Sequence, residues 1–478
     1  MEQKECIVIG SGVAGLANAA LLASKGHSVT VYEQSATYGG KIGQIDLDGS
    51  LFDTGPSVCT DPDVIDAVYK RCKVNPRDYW QYEKLTETIR YFWPDDNFEY
   101  IMPMGRTQIE RSLVHTFKER PKKIRKYFAK TEDSYRKVAR HYLDRPISFT
   151  SLLSPKIAIR AVKLVPLLVQ SLHVRNSRYF LNKKTVQLFD RFASYSGSDP
   201  YRTPAISGYA GIVELCDGVY FPKGGMRAIA DGLYQLCVDK GVKFVFNQRV
   251  SGIVVSDGVA THVRTSKQTN SCDIVVYDGD AVRLHELLGD ATIHKSLSSE
   301  RSTSAIVFYW KVRGNYKKLG LHNILFSQDY AREYSDLQRG ELPDDPTIYI
   351  NITCKKDKTL SERGTENWFV MINVPAGTKD VAVLRAKEIV KDKIEKYLGG
   401  YVTVLEEDYL SPSKLDAATG AWQGAIYGQA NNSLQSVLRR PKNKVNGIDN
   451  VYRIGGTAHP GGGIPLAVRS AIITSELL

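Results

Sequence analysis

The chain has 478 residues, 42% of them hydrophobic and 24% charged. That is enough to bury more than one core and too apolar for general disorder. Lys and Arg number 64 against 52 Asp and Glu, but the excess is local: residues 111–184 carry 19 basic and four acidic side chains, which leaves the remainder slightly acidic. Seven scattered cysteines without a C-x-x-C exclude a zinc ribbon, argue against a disulfide framework and point to a reducing compartment.

No secretory signal fits the amino terminus, because a strand-like run, Cys6-Ile7-Val8-Ile9, begins almost at once. No stretch reaches the roughly 20 continuous apolar residues a spanning helix needs, and the longest near-miss, Leu164 to Val169, is interrupted by Pro166. The first strand runs into Gly10-Ser11-Gly12-Val13-Ala14-Gly15, then an apolar helix over Leu16 to Ser24, then a second strand, His27 to Tyr32, ending at Glu33. This is a βαβ opening of the parallel-sheet type. In a G-x-G-x-x-G at that place, Gly10 permits the turn and Gly12 lets backbone approach a pyrophosphate. Gly15 lets helix and strand pack closely, and the helix N-terminus stabilises the phosphate charge. Glu33 offers a carboxylate to ribose hydroxyls.

Long, basic, helical stretches are expected from about Thr86 to Gly218, such as Arg120 to Tyr142 and Pro155 to Val174. A second α/β register starts at Phe221-Pro222-Lys223-Gly224-Gly225-Met226, with a helix over Arg227 to Lys240 and strands at Val242 to Phe246, Val250 to Val255, Val259 to Arg264 and Asp273 to Tyr277. Aromatic strands follow at Ile306 to Val312, Thr347 to Ile352 and Trp368 to Val374, with one helix over Val381 to Leu398. The chain closes as strand, glycine turn and helix: Val451 to Ile454, Gly455 to Gly463, Pro465 to Leu478. Nucleotide-type segments at the start, middle and end predict discontinuous domains.

Two further motifs sharpen the reading. Glu33 stands five residues before Gly39-Gly40-Lys41, and Asp53-Thr54-Gly55-Pro56 follows. This E-x5-G-G-K and D-x-G-P pattern resembles the FAD-dependent oxidoreductases of the amine oxidase and phytoene desaturase superfamily. The closing run Gly455-Gly456-Thr457-Ala458-His459-Pro460-Gly461-Gly462-Gly463-Ile464-Pro465 resembles the G-x-T-x-H-P-G-G-G-[IV]-P signature of bacterial carotenoid desaturases. Weaker matches fall in order between them, at Phe221 to Met226, Val250, and Gly424 to Gly428 with Arg440-Pro441.

The resemblance implies a Rossmann-type FAD domain built from residues 1–85, 219–300 and 420–478, a mixed-sheet substrate domain at 301–419, and a helical, membrane-facing lid at 86–218. FAD would be held by Gly10, Gly12, Val13, Ala14, Gly15, Glu33, Gly39, Gly40, Lys41, Gly55, Pro56, Ser57, Val250, Gly455, Gly456, Gly463, Ile464 and Pro465, without a metal. Pro465 suits a first helical turn aimed at the flavin. His459 is a weak candidate for a catalytic base. Some bacterial phytoene desaturases carry an Arg-Asp pair where this chain has Thr150-Ser151, a departure from plain phytoene desaturation.

The implied activity is desaturation of a long polyene by hydride transfer to flavin, with a 1-hydroxycarotenoid 3,4-desaturase favoured over a phytoene desaturase or related carotenoid oxidase. A flavin amine oxidase and a catalytically idle FAD-binding scaffold are the readings from other classes. A quinone or oxygen would take the electrons. The basic stretch at Lys122, Lys123, Arg125, Lys126 and Lys130 has no nucleic-acid motif beside it. A solvated helix face is one reading of it; with Pro155 to Val165 it reads also as an amphipathic surface for an anionic membrane, which makes the expected location cytoplasmic and peripheral to the membrane.

Overall fold

The computed structural model describes residues 2–136, 140–146, 165–289 and 300–478. Its first layer is a five-stranded parallel sheet in the order Val451–Arg453, Ile274–Tyr277, Glu5–Ile9, Ser28–Tyr32 and Lys243–Val245. The strands come from the beginning, middle and end of the chain, as the discontinuous pattern predicts. Helix Val13–Ser24 packs against helices Arg227–Asp239 and Ile464–Leu477. Its buried residues include Ala14, Ala17, Ala19 and Ala20, all with almost no exposure. Small side chains allow such close approach, and the buried Asn18 amide donates to the Ala471 carbonyl at 2.9 Å. Beside this sheet, Val250–Ser256, Val259–Thr265 and Thr269–Ser271 form a separate antiparallel sheet.

The second layer is a seven-stranded sheet in the order Val404–Leu410, Ser304–Arg313, Thr365–Val374, Ile348–Ile352, His322–Leu325, Glu87–Trp93 and Phe98–Pro103. All its pairings are antiparallel except the parallel one between His322–Leu325 and Glu87–Trp93. Period-two alternation divides its faces. Ile306, Phe308, Trp310, Trp368, Val370 and Ile372 form a core with Val383, Ala386, Val390 and Ile394 of helix Ala382–Leu398. The intervening Ala305, Val307, Phe369 and Met371 instead line a cavity.

The stretch expected to be helical from Thr86 opens with two of these strands. Pro94–Asn97 forms the turn, with Asn97 in the left-handed region at φ 45°, and Tyr100 and Met102 alternate inward. The turn chemistry and the alternation outweigh the helical composition downstream. Helices then follow at Arg106–Phe117, Pro121–Ser134, Leu172–Tyr179 and Lys183–Asp190. In Pro121–Ser134 the buried positions are Ile124, Tyr127, Phe128 and Thr131, one stripe at helical spacing. Lys122, Lys123, Arg125, Lys126 and Lys130 cover the exposed side. Thr150-Ser151 and most of the amphipathic segment at Pro155 to Val165 lie outside the described residues. All seven cysteines are free, and no helix among the described residues is long and apolar enough to cross a membrane.

Candidate active site

A cavity of about 810 Å³ runs from the glycine turn after the first strand to the inner face of the seven-stranded sheet. Of the residues marked in the sequence, Gly10, Gly12, Val13, Ala14, Glu33, Gly39, Gly40, Lys41, Gly55, Pro56, Ser57, Val250, Gly455, Gly456, Gly463, Ile464 and Pro465 all line it. Gly15 acts behind the wall: a Cβ there would stand 2.2 Å from the Gly10 carbonyl oxygen, so only glycine lets helix and strand approach this closely. Gly10 has φ +100°, a region open mainly to glycine. The second glycine pair comes equally near, since a Cβ on Gly40 would lie 3.1 Å from the Gly12 Cα. The surfaces meeting at the N-terminus of helix Val13–Ser24 are backbone and one carboxylate, since Asp278 Oδ2 stands 2.6 Å from where a Cβ on Gly12 would lie; the helix dipole there favours an anionic ligand as well.

Three carboxylates organise the turn. Glu33 lines the cavity and accepts from Ser11 N–H at 2.9 Å, the Ser11 hydroxyl at 2.7 Å and Ser35 N–H at 2.9 Å. This fixes it at the end of the second strand. Asp53, of the D-x-G-P motif, lies behind the cavity and accepts from Met226 N–H at 2.8 Å and Arg227 N–H at 3.2 Å. It joins the first nucleotide segment to the helix of the second. Asp278, which follows the strand Ile274–Tyr277, accepts from Gly15 N–H at 2.7 Å. Burial pushes its carboxyl up to about 7, and the negative charge of Glu33 adds to this against the opposing Gly15 and Gly12 N–H groups and Lys41.

At the other end, Gly463 and Pro465 open helix Ile464–Leu477 against the cavity. Lys41 crosses beneath the Gly39-Gly40 turn and donates to the Ile426 carbonyl at 2.7 Å; burial lowers its ammonium to about 8. His459 does not face this space. Its Nε2 bonds the Arg145 carbonyl at 2.8 Å and its ring meets Tyr142 edge-on. Burial lowers it to about 4, so it packs as a neutral imidazole.

Beyond Ser57 the cavity becomes an arm between the seven-stranded sheet and the helical layer. Ile89, Val213, Ile324 and Tyr330 line it together with Ala305, Val307, Phe369 and Met371. Polar groups interrupt this apolar wall, among them two hydrogen-bonded sets. Arg191 pairs with Glu214 at 2.7 Å, with the two side chains 6% and 0% exposed, and the Tyr195 hydroxyl donates to the other Glu214 oxygen. The Ser57 hydroxyl donates to Tyr349 Oη at 2.8 Å, and Tyr349 in turn bonds His322 Nδ1 at 2.8 Å.

Comparison with known proteins gives this geometry a context. A family model described as flavin containing amine oxidoreductase matches residues 13–288. The chain belongs to that family. The oxidoreductase is 36% identical over 486 residues, 99% of each chain, to a 1-hydroxycarotenoid 3,4-desaturase of Flavobacterium sp. (strain P99-3). It is 28% identical, over 98% of each chain, to a 4,4'-diapophytoene desaturase (4,4'-diaponeurosporene-forming) of Staphylococcus haemolyticus (strain JCSC1435). The resemblance drawn from the motifs therefore holds along the whole chain. The fold is shared with a Methanosarcina mazei oxidoreductase (TM-score 0.65, 15% identity, 99% of this chain and 100% of that one). It is shared also with a redesigned putrescine oxidase (TM-score 0.64, 12% identity, 99% and 98%).

The residues present suit the flavin cofactor of the family. Glycine backbone lines the place where larger side chains would block a pyrophosphate, with the Asp278 carboxylate beside it, a fixed carboxylate ends the second strand, and a helix N-terminus closes the far end. The sequence did not single out Asp278, Arg191, Glu214, His322 or Tyr349. Asp278 had a readable signal, a carboxylate directly after the apolar run Ile274 to Tyr277. The other four come together only through packing between distant segments.

Proposed function

We propose that the oxidoreductase is a carotenoid desaturase that removes two hydrogens from C3 and C4 of a polyene bearing a hydroxyl at C1. The observation that carries this reading is the end-to-end similarity, at 36% identity over 99% of both chains, to a 1-hydroxycarotenoid 3,4-desaturase. The shape of the site supports it, since an arm lined largely by apolar side chains opens onto the cofactor segments.

In this reading Gly10, Gly12, Val13 and Ala14 hold the pyrophosphate, Glu33 the ribose, and Val250 flanks the adenine. Gly39, Gly40, Lys41, Gly55, Pro56 and Ser57, with Gly455, Gly456, Gly463, Ile464 and Pro465, surround the flavin end. Bound FAD supplies an acceptor for a hydride, and a quinone or oxygen is the final acceptor of the two electrons. The protein's own contribution is alignment and dryness. The inner sheet face and the helical layer hold the polyene in one orientation and exclude water, which suits a reaction that needs positioning more than acid–base groups.

A polyene is extracted from a bilayer, and the helical layer offers a surface for that. Val169 and Leu181 are 71% and 59% exposed. They flank a segment where Arg178 bonds Gln170 and its carbonyl receives Lys123 of the basic helix. Exposed apolar side chains on a segment that carries Arg178 and meets Lys123 suit an anionic lipid surface.

The test is an assay supplied with a quinone, run with phytoene and with a 1-hydroxycarotenoid, products read by absorbance and mass. Loss of two hydrogens from the hydroxylated substrate is expected. Stepwise conversion of phytoene with the hydroxylated substrate untouched would overturn the choice of substrate and favour a phytoene-type desaturase.

A further inference from the structure

Tyrosine hydroxyls punctuate the cavity wall, and several are already used within the protein. Tyr195 donates to Glu214, Tyr309 donates to the Thr54 carbonyl at 3.0 Å, and Tyr349 is hydrogen-bonded to Ser57 and His322. Tyr427 is different. It lines the cavity, yet its hydroxyl bonds no described residue, and burial alone raises it to about 12. The hydroxyls of Tyr69 and Tyr91 also lack partners, but those atoms are sealed inside the protein. That of Tyr427 is not sealed, so it meets the free volume of the cavity. Polar groups deep in a protein almost always have a partner, and one that faces a cavity without a partner is available to a ligand atom.

The position of Tyr427 is fixed from several sides. A Cβ on Gly462, inside the closing glycine run, would stand 2.5 Å from Tyr427 Cδ1, so the ring rests directly on that backbone. Tyr427 N–H donates to Ser302 Oγ at 3.0 Å. Arg440 Nη2 donates both to the Tyr427 carbonyl at 2.8 Å and to the Gly456 carbonyl at 2.9 Å, which ties the residue to the other part of the glycine loop. The neighbouring Ile426 packs with Ala305, Val307 and Phe369 of the arm. Tyr427 therefore stands where the glycine loop meets the arm. Two more tyrosines of the wall, Tyr209 and Tyr277, have hydroxyls without a partner among the described residues, but they lie elsewhere. Tyr277 ends the strand before Asp278, in the cradle, and Tyr209 belongs to the helical layer, stacked on Tyr135.

The chemistry of the substrate supplies the matching constraint. In a 1-hydroxycarotenoid that loses hydrogens at C3 and C4, oxygen and C3 are separated by three single bonds, about 3–4 Å. The alcohol must then be recognised beside the flavin and not at the remote end of the arm. The junction of glycine loop and arm is that place. We propose that Tyr427 is the residue that recognises the substrate's hydroxyl, Tyr427 Oη–H donating to the alcohol oxygen. This assignment rests on the desaturation of a hydroxylated polyene proposed above. It makes Tyr427 a determinant of specificity that also sets which carbons face the flavin, because anchoring the oxygen fixes how far the chain slides along the arm. A ring held by its neighbours presents the hydroxyl with little freedom left to lose on binding.

The experiment compares a 1-hydroxycarotenoid with the same polyene lacking the hydroxyl, in wild type and in Tyr427→Phe. Phenylalanine keeps the ring against Gly462 and the backbone bonds to Ser302 and Arg440, and removes only the hydroxyl. Dissociation constants come from the shift of polyene absorption on binding, and kcat/KM from product formation. The variant is expected to lower the preference for the hydroxylated polyene by about tenfold, in both binding and kcat/KM, the scale of one lost hydrogen bond to a buried partner. The polyene without the hydroxyl should bind and react as in wild type, and FAD affinity and the flavin spectrum should not change. The preference is a ratio of two substrates on one protein, so a general loss of flavin or of folded enzyme cancels from it. An unchanged preference in the variant would overturn the assignment while leaving the desaturase reading intact, and weakened FAD binding beside it would give the hydroxyl to the cofactor instead. A wild-type enzyme that binds and converts the two polyenes equally well would overturn both.

Discussion

In the cofactor cradle the contacting surfaces are mainly backbone, with Asp278 the close side chain, and Gly10, Gly12, Gly39, Gly40 and Gly55 bring them together within one short stretch of chain. In the cavity's arm the surfaces are side chains, drawn from Ile89, Arg191, Val213, Ile324, Tyr349 and Phe369 on elements far apart in sequence. A glycine turn is a local demand on φ and ψ and so leaves a local signature. An apolar arm is a demand on shape, which many combinations of side chains can meet. The two halves of one cavity should therefore respond differently to substitution: the cradle intolerant of a single added carbon, the arm tolerant until it is blocked.

The largest effect is expected in the cradle. A Cβ on Gly12 would lie 2.6 Å from Asp278 Oδ2, and valine adds two methyl groups where a pyrophosphate must approach. Gly12→Val should weaken FAD affinity by at least about 100-fold, close to 2.7 kcal/mol, as measured by titrating stripped protein with FAD. Undiminished affinity would break the comparison, because the cradle would then tolerate side chains as the arm does.

Blocking the arm should give the mirror-image result. Ala210 lines the cavity from the helical layer and is only partly buried, so a larger residue there can grow into open space. Ala210→Trp is expected to lower kcat/KM for the polyene by on the order of 30-fold, about 2 kcal/mol of lost transition-state stabilisation. FAD affinity should stay within about twofold. Equal losses in both measurements would show that cradle and arm are one mechanical unit.

That contrast also explains what was legible in the sequence. The parallel sheet, the three nucleotide segments and seventeen of the eighteen proposed cofactor residues on the cavity wall follow from motifs whose spacing is enforced by backbone geometry. The eighteenth, Gly15, stands behind the wall because its task is helix–strand packing. The arm was not legible, since nothing near Arg191 in the chain announces Glu214, and His322 meets Tyr349 only through pairing of the strands His322–Leu325 and Ile348–Ile352. Composition misled in one place. The basic region was read as helical throughout, whereas residues 87–103 contribute two strands to the seven-stranded sheet, set by alternation and the turn at Pro94–Asn97. His459 shows a different limit, because a histidine inside a flavin motif invites a catalytic role and only the packing reveals that it faces Arg145.

The outer face of the helical layer sharpens the comparison from a third side, since helix Pro121–Ser134 turns Tyr127 and Phe128 toward the core and its lysines outward. Replacing Lys122, Lys123, Arg125 and Lys126 together by alanine removes cations that contribute about 1 kcal/mol each near an anionic surface. Binding to anionic liposomes should fall by at least about tenfold, and wild-type binding should weaken as salt rises, since exposed charges are screened beyond about 10 Å at 0.1 M. The flavin spectrum should not change. Equal binding of wild type to neutral vesicles at high salt would remove the electrostatic contribution.

The smallest effect is a pH dependence confined to the cradle. Asp278 bonds the Gly15 N–H at the helix terminus that the pyrophosphate would use, and burial raises its carboxyl to about 7. Its charged surroundings are Glu33 and Lys41, with Asp280 and Arg301 acting in turn on Lys41. Because the folded-state value lies above the unfolded one, the folded protein holds a proton between about pH 4 and 7 that the unfolded chain has released. The associated stability is complete below about pH 4 and is lost as pH rises through about 7. A pyrophosphate beside an ionised Asp278 adds like-charge repulsion, so FAD affinity should decline over the same rise, by about threefold between pH 6.5 and 7.5 and by no more than about tenfold per unit for one proton. Asp278→Asn retains the acceptor for Gly15 N–H and removes the titration, and should flatten the profile with affinity close to the low-pH wild-type value. Fluorescence titration of stripped protein with FAD across that range measures both curves. Parallel slopes in wild type and variant would place the titrating group elsewhere and leave Asp278 a purely structural partner of the glycine turn.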